Sequence, residues 1–153
     1  QRVFSFIKKN CSNKIPNSKK FTDVDKKLLN QLKNNIPNLV KLMDNQNLNE
    51  FIKSVVSYSF DANKYFNDSE PWSVKKEDPE RMKVILFTIC EQIKNISILL
   101  NSIIPNATEK VLQTMNLKQD DISINQINNL NCFDHDKELK KLDILFNKIE
   151  NDN

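Results

Sequence analysis

The chain of 153 residues contains no glycine, whereas average usage of about 7% would supply roughly 11. Glycine is required where the backbone must approach a phosphate group or make a strained turn. The dinucleotide-binding G-x-G-x-x-G turn, the Walker P-loop and the G-x-S-x-G nucleophile elbow all depend on it. All three motifs are therefore excluded, and with them the nucleotide-binding and hydrolase sites that they build.

Residues that bind metals or act as nucleophiles are also scarce. The sequence has three widely spaced cysteines and one histidine, and without a C-x-x-C pair it predicts neither a zinc site nor a disulfide framework. His135 lies between two aspartates, but neighbours on a loop rarely share a metal, and we predict a surface loop there. Cys90 falls within an apolar helical stripe, which predicts a buried small side chain rather than a nucleophile. No catalytic residue is predicted.

Charge and hydropathy place the chain in an ordinary class. Its 23 basic and 20 acidic residues give a net charge of +3, which is too small to indicate nucleic-acid binding by itself. The most apolar stretch, residues 84–104, is interrupted by charged and amide side chains, and no secretory signal opens the sequence. We therefore expect one soluble, cytoplasmic domain without a membrane partner. Because Gln1 falls inside an amphipathic pattern, we interpret the chain as part of a longer protein.

Apolar residues recur at steps of three and four along most of the chain, and no segment alternates with a period of two. This pattern predicts an all-α fold, an antiparallel helix bundle of about five to six helices. The predicted helices cover residues 1–9, 23–44 with Thr22 or Asp23 as the N-cap and a kink at Pro37, 48 to a point before Pro71, 79–103, 106–115, and a short sixth from Asp120 or Asp121 to 130. Asp78 and Pro79 predict a capped start for the fourth helix, which we expect to be central.

The pattern weakens towards the C-terminus. We predict that residues 131–153 form a tail that packs back on the bundle. Within it, residues 137–146 are either one more helix or an extended segment that packs Leu145 and Phe146.

The most distinctive segment surrounds Trp72, the only tryptophan in the chain. Trp72 follows Pro71 directly, and Lys75 and Lys76 come three and four residues later. An unstacked base gains about 1 to 3 kcal/mol on an aromatic ring, and lysines neutralise its phosphates, so this pattern suits single-stranded nucleic acid. A second interpretation stands beside it, in which Trp72 fills the bottom of the bundle.

The same segment resembles a known family. The run Ala62-Asn63-Lys64-Tyr65-Phe66 and the pair Pro71-Trp72 resemble the A-N-x-Y and P-W block in the C-terminal helical anticodon-binding domain of methionyl-tRNA synthetases. Residues 1–3, 103–110 and 145–150 are similar, in order, to other segments of that domain, so the resemblance spans nearly the whole chain. Valyl, leucyl and isoleucyl enzymes of the same class I share a weaker version of the block, and the ordered set favours methionine.

The resemblance implies which residues bind RNA. Trp72 would stack on the first base of a CAU anticodon, and Arg2 would read base edges nearby, a role that suits its planar guanidinium better than an ammonium. The alternative for Arg2 is an ordinary surface arginine at a helix end. Asn63 would either hold the Trp72 loop by a hydrogen bond or contact the anticodon backbone. Lys75 and Lys76 would contact phosphates.

The resemblance also implies what this chain does not carry. The H-I-G-H and K-M-S-K-S motifs that bind ATP and the zinc-binding cysteine cluster are absent, so we expect neither cofactor nor metal here. ATP would be used by an upstream catalytic Rossmann domain, and zinc in the parent enzyme stays open. The expected partners are methionine tRNA and that catalytic domain, not DNA. Two alternatives are an anticodon-binding domain of a valyl, leucyl or isoleucyl enzyme and a stand-alone helical module that binds a protein.

One further expectation concerns the missing glycines. The family tends to place glycine after its fifth helix, in Leu-Gly-Leu, where this chain has Met115-Asn116-Leu117. Asparagine is the next best residue for a left-handed helix end. The substitution predicts a positive φ angle at Asn116.

Overall fold

A computed structural model describes residues 1–118 and 122–146 of the chain. The α-helices in this part are α1 (Arg2–Asn10), α2 (Asp23–Asn34), α3 (Ile36–Asp44), α4 (Leu48–Asp68), α5 (Pro71–Val74), α6 (Pro79–Leu100) and α7 (Pro105–Thr114), and one 3-10 turn covers Ile124–Gln126. The described residues contain no strand, and the single β-bridge among them joins Lys14 to Glu138. The predicted all-α class is confirmed. Within these ranges no helix is both long and apolar enough to cross a lipid bilayer.

Helix α6 forms the centre of the bundle. It packs against α1, α2, α4, α5 and α7, and most of its side chains are buried on several sides. Its start is the predicted one, because the Asp78 carboxylate accepts a hydrogen bond from the backbone N–H of Arg81 at 2.9 Å and Pro79 occupies the first helical position. A helix that is apolar on most faces must be covered by the others, which explains its central place.

Two hydrophobic clusters show that α4 runs antiparallel to α6. The end of α4 packs with the start of α6 in one cluster, which includes Ala62, Phe66, Met82 and Ile85. The start of α4 packs with the end of α6 in the other, which includes Phe51, Val55, Ile98 and Leu99. The Trp72 segment therefore lies at the turn between the two longest helices of the described chain.

The predicted helix over residues 23–44 is wrong in one respect. Pro37 does not kink a continuous helix: α2 ends at Asn34 and α3 begins at Ile36, so Pro37 stands in the first turn of a new helix. Proline is favoured there because the first-turn N–H groups have no partner within the helix.

The predicted sixth helix is wrong as well. Its start at Asp120 or Asp121 lies outside the described residues, and residues 122–130 contain only the 3-10 turn. Asn128 takes a left-handed φ of 56° and donates from its side chain to the Leu29 carbonyl at 3.1 Å. Its backbone N–H donates to the Asn95 side chain at 3.1 Å. Such side-chain bonds compete with helix formation, and they dock this segment on α2 and α6.

The tail takes the extended alternative. The backbone N–H groups of Leu139 and Lys140 donate to the carbonyls of Asn13 and Thr114 at 2.7 and 2.9 Å. Leu139 is buried, whereas Phe146 is 67% exposed, so the predicted packing of Phe146 is wrong and Leu139 takes the anchoring role. Residues 147–153 of the predicted tail lie outside the described residues.

The prediction for Asn116 is confirmed. Its φ is 60°, and the N–H groups of Asn116 and Leu117 both donate at 3.0 Å, to the carbonyls of Gln113 and Leu112 respectively. This pair of bonds is the Schellman ending of a helix, in which the left-handed residue is usually glycine. The Asn116 side chain also donates to the Glu138 carbonyl at 2.8 Å, a contact with the tail that glycine could not make.

Cys90 is buried as predicted, and His135 is less exposed than the predicted surface loop implies. Cys90 is fully buried, as predicted, and burial raises the pKa of its thiol. His135 is half-buried rather than on an open loop: its Nδ1 lies 2.9 Å from the Ile15 carbonyl oxygen, and its ring packs on Phe87 at 5.9 Å between centroids. No group of metal-binding side chains occurs among residues 1–118 and 122–146.

Candidate functional site

A tight turn presents Trp72 at the surface. After α4 ends, Glu70 adopts a left-handed backbone conformation with φ 41° and ψ 57°, and its carbonyl accepts hydrogen bonds from the N–H groups of Ser73 and Val74 at 2.9 and 3.0 Å. Pro71 opens α5 and is buried. Trp72 is 39% exposed, so it does not fill the interior of the bundle.

Three side chains form the centre of the site. The Trp72 ring meets the Phe66 ring edge-on, with 5.9 Å between centroids. The guanidinium carbon of Arg2 lies 4.8 Å from the centroid of the Phe66 ring and 5.8 Å from that of the Trp72 ring, both within cation–π range. The Arg2 Nη2 donates to the Asn67 Oδ1 at 2.5 Å. The fold therefore brings Arg2 and Trp72 together across 70 positions of sequence.

A cleft of about 270 Å³ opens between these side chains. Its lining residues come from α1, α4 and α5, namely Arg2, Ser5, Phe6, Lys9, Phe66 and Trp72. Three aromatic rings and two cations in one cleft suit a flat ring attached to an anionic backbone. The sequence did not predict Ser5, Phe6 and Lys9 as site residues, although their spacing of three, four and seven residues from Arg2 places them on one face of α1.

The two lysines after Trp72 lie differently. The Lys75 Nζ donates to the Asn10 Oδ1 at 3.0 Å and lies 5.8 Å from the centroid of the Phe6 ring, so Lys75 stands at the rim of the cleft. Lys76 is exposed, and within the described residues its ammonium group makes no hydrogen bond or ion pair. The cleft and its rim thus carry the charges of Arg2, Lys9 and Lys75.

Asn63 does not reach the Trp72 turn. Its side chain is exposed and makes no hydrogen bond to that turn in the part of the chain that the structure describes, so the loop-holding alternative is wrong. The reason is its position one turn before Phe66 on α4. There Asn63 lines a neighbouring apolar groove of about 330 Å³, which shares Arg2 and Phe66 with the cleft.

A buried ion pair fixes the helices behind the site. Arg81 donates both Nη groups to the Asp25 carboxylate, at 2.5 and 2.8 Å, and the Tyr65 hydroxyl donates to it at 2.7 Å. The backbone N–H of Thr22 adds a further bond at 2.8 Å. Burial raises the pKa of the Asp25 carboxyl, but the bonds from Arg81, Tyr65 and Thr22 outweigh it and lower the pKa.

This pair joins α2, α4 and α6 next to Phe66, and the sequence patterns did not predict it. The amino-acid composition held a signal that could have indicated this pair. Arg2 and Arg81 are the two arginines among 23 basic residues, and each occupies a position where a planar, forked cation is needed.

The comparisons with known proteins agree with this architecture. A family model described as the anticodon binding domain of methionyl tRNA ligase matches residues 15–153. The methionine–tRNA ligase of Brucella suis biovar 1 is 33% identical over 120 residues, which make up 78% of this chain and 23% of that protein. That of Methanosphaera stadtmanae is 33% identical over 117 residues, 76% of this chain and 17% of that protein. The chain thus spans about a quarter or less of these relatives.

Solved structures show the same fold. Crystal structures of Mycobacterium tuberculosis methionyl-tRNA synthetase superimpose with a TM-score of 0.87, both in the free state and with methionyl-adenylate. They share 22% and 24% sequence identity, over 98% and 97% of this chain and 31% and 30% of theirs. The family match covers Trp72, Lys75 and Lys76, while Arg2 precedes it. On the family model and the identity of its relatives, this chain belongs to the anticodon-binding domains of the methionyl-tRNA ligases.

Proposed function

We propose that this chain binds the anticodon loop of a methionine tRNA and recognises its CAU anticodon. The observation that carries the proposal is the cleft in which Arg2 lies over the rings of Phe66 and Trp72. The first anticodon base stacks on the exposed face of Trp72, with a gain of about 1 to 3 kcal/mol. Family membership supports RNA as the occupant of this cleft.

The cations of the site divide into two roles. Arg2 has five N–H donors, of which one is engaged with Asn67, so the others can meet the acceptor edge of the stacked base. Lys9 and Lys75 contact phosphates, and their contribution falls as salt concentration rises because counterions are released on binding. Asn63 and Lys76 are exposed and serve the RNA backbone on either side.

The proposal places this domain in a larger enzyme. We infer that the parent protein is a methionine–tRNA ligase, since the Mycobacterium tuberculosis relative was solved with methionyl-adenylate, an intermediate made from methionine and ATP. This chain carries none of the catalytic motifs, so ATP would bind in a separate catalytic domain of the parent protein. This domain would therefore act by binding, with methionine tRNA and the catalytic domain as its partners in the cytoplasm.

Methionine is favoured over the other class I specificities. The family model and the relatives named above are all methionyl enzymes, which argues against the valyl, leucyl and isoleucyl alternatives. A stand-alone protein-binding module is disfavoured for the same reason.

Titration with RNA tests the proposal. A labelled stem-loop with a CAU anticodon is titrated with the chain, and the affinity is read from fluorescence anisotropy. Trp72→Ala should weaken binding about 5- to 150-fold, the equivalent of one lost stacking interaction, whereas Trp72→Phe keeps a ring and should lose less. A stem-loop with a changed first anticodon base should bind the unmodified chain more weakly.

Two results would overturn the proposal. Equal binding of both stem-loops would remove anticodon specificity. Collapse of helicity and melting temperature in Trp72→Ala would show that Trp72 is a core residue and not a stacking platform.

A further inference from the structure

Phe60 is the most exposed aromatic residue on the helices. It lies in the middle of α4 and is 70% exposed, compared with 39% for Trp72. The core face of α4 is already complete without it, since Phe51, Val55 and Tyr58 are all buried. Phe60 therefore contributes little to packing, and single exposed apolar residues need a neighbouring feature before they indicate a site.

That neighbouring feature is the cleft. Phe60, Asn63 and Asn67 are spaced by three and four residues, which places them on one face of the helix, and all three are exposed. Asn67 accepts a hydrogen bond from Arg2. The exposed face that begins at Phe60 thus runs about 10 Å along α4, at 1.5 Å per residue, and ends at the Arg2 side of the Trp72 cleft.

The carboxylates of α4 lie away from this face. The three carboxylates of the helix fall on another face, at positions 50, 61 and 68, where each has a partner. Glu50 pairs with Lys53 and Asp68 with Lys64, while Asp61 accepts a bond from Gln31. Lys53 and Lys64 lie seven residues before and four residues after Phe60, each in a solvent-exposed pair with one of these carboxylates. Exposed pairs are weak, so both ammonium groups can turn to a phosphate, and no carboxylate shares the face of Phe60.

We propose that Phe60 is a second stacking platform, which binds a base of the anticodon loop other than the one stacked on Trp72. An exposed ring flanked by lysines and continuous with an aromatic cleft has the chemistry that unpaired nucleotides bind. The inference rests on the proposed function and extends it: the loop is held at two points along α4 and α5. The amide groups of Asn63 and Asn67 lie between the two rings and can bond to phosphate or base edges.

The test compares three substitutions of Phe60 in the same CAU stem-loop titration. Phe60→Ala should weaken binding at least about fivefold, the low end expected for a lost stacking platform, and Phe60→Leu should lose as much because it lacks a ring. Phe60→Tyr should bind within about twofold of the unmodified chain. Phe146→Ala is the matched control, since Phe146 is 67% exposed on the tail, and it should leave binding unchanged. Circular dichroism and melting should be the same for all four variants.

A double-mutant cycle identifies the stacked base. Stem-loops with one abasic loop position each are titrated against the unmodified chain and Phe60→Ala. At one position other than the first anticodon base, the abasic change and Phe60→Ala should be strongly non-additive, because each removes the same contact.

The outcomes separate this proposal from the one on which it rests. If the unmodified chain prefers CAU but Phe60→Ala binds within twofold of it, the second platform is refuted and the proposed function stands. Full affinity of Phe60→Leu for the stem-loop would show that Phe60 makes an apolar contact that needs no aromatic ring, and it would also refute the second stacking platform. If Phe60→Ala instead weakens only association with the rest of the synthetase, the face binds protein and the proposal fails. Absence of any binding by the unmodified chain would refute both.

Discussion

Breaking the ion pair between Asp25 and Arg81 should destabilise the whole bundle. The side chain of Asp25 has no exposed surface, and that of Arg81 is 24% exposed. Removing one partner of a buried pair leaves an uncompensated charge and costs about 3 to 5 kcal/mol. Because Tyr65 and Thr22 still donate to the carboxylate, we expect Arg81→Met to lower the free energy of unfolding by the smaller value, about 3 kcal/mol.

Urea and thermal unfolding measure this loss. For a domain of this size, about 3 kcal/mol corresponds to a fall in melting temperature of roughly 6 to 12 °C. Lys64→Met provides the matched control. It breaks the pair between Lys64 and Asp68, whose side chains are 76% and 62% exposed, and an exposed pair contributes under about 1 kcal/mol.

The pH dependence provides a second check on the same pair. The stabilisation belongs to ionised Asp25, whose pKa is lowered in the folded state. It is therefore complete above the unfolded value of about 3.9 and is lost as the pH falls through the lower folded value. The unmodified chain and Arg81→Met should converge in strong acid. A loss from Arg81→Met no larger than that from Lys64→Met at neutral pH would refute the reasoning, because it would show that the pair is solvated.

Two further predictions concern a buried carboxyl and a helix end. Burial raises the pKa of Glu91 to about 7 against the opposing charge of Lys94, so the native state holds a proton that the unfolded chain releases above about 4.3. The free energy of unfolding should fall as the pH rises from 5 to 7, by at most about 1.4 kcal/mol per pH unit. Thermal unfolding should show this slope in the unmodified chain and in the exposed control Glu80→Gln. An equal slope in Glu91→Gln would contradict the claim that Glu91 is the group that titrates. Asn116→Ala should lower the free energy of unfolding by about 1 to 2 kcal/mol, because alanine is disfavoured at a positive φ. Asn116→Gly should unfold at a higher urea concentration than Asn116→Ala. Equal urea midpoints for the two variants would show that the left-handed conformation carries no energetic cost.

Local signals predicted most of the helices. The step of three and four in apolar residues is a property of the chain itself, and it predicted the helices α4 and α6. Asp78 with Pro79 marked the start of α6 because a cap acts on residues next to it. The helix predictions fail where contacts with distant residues determine the conformation. Asn128 bonds to α2 and α6 instead of continuing a helix, and no local sequence pattern shows those partners.

The site divides in the same way. Trp72, Lys75 and the family to which they point could be read from adjacent residues. The contributions of Ser5, Phe6 and Lys9 could not, because only the packing of α1 against the Trp72 turn brings them to the cleft. The resemblance left open a hydrogen bond from Asn63 to the Trp72 turn. This bond does not occur among the residues that the structure describes, because Asn63 faces the neighbouring groove.

The sequence by itself determined the helical class, the membership of the family and the left-handed helix end at Asn116, because periodicity, motif order and capping are encoded in neighbouring residues. The lack of glycine excluded the phosphate-binding loops and shifted a left-handed ending to asparagine. Tertiary structure alone decided that Arg2 lies over Phe66 and Trp72, that Asp25 and Arg81 pair behind them, and that Phe60 stays exposed. These facts depend on which helix faces meet, and that choice is made by the packing of the whole bundle.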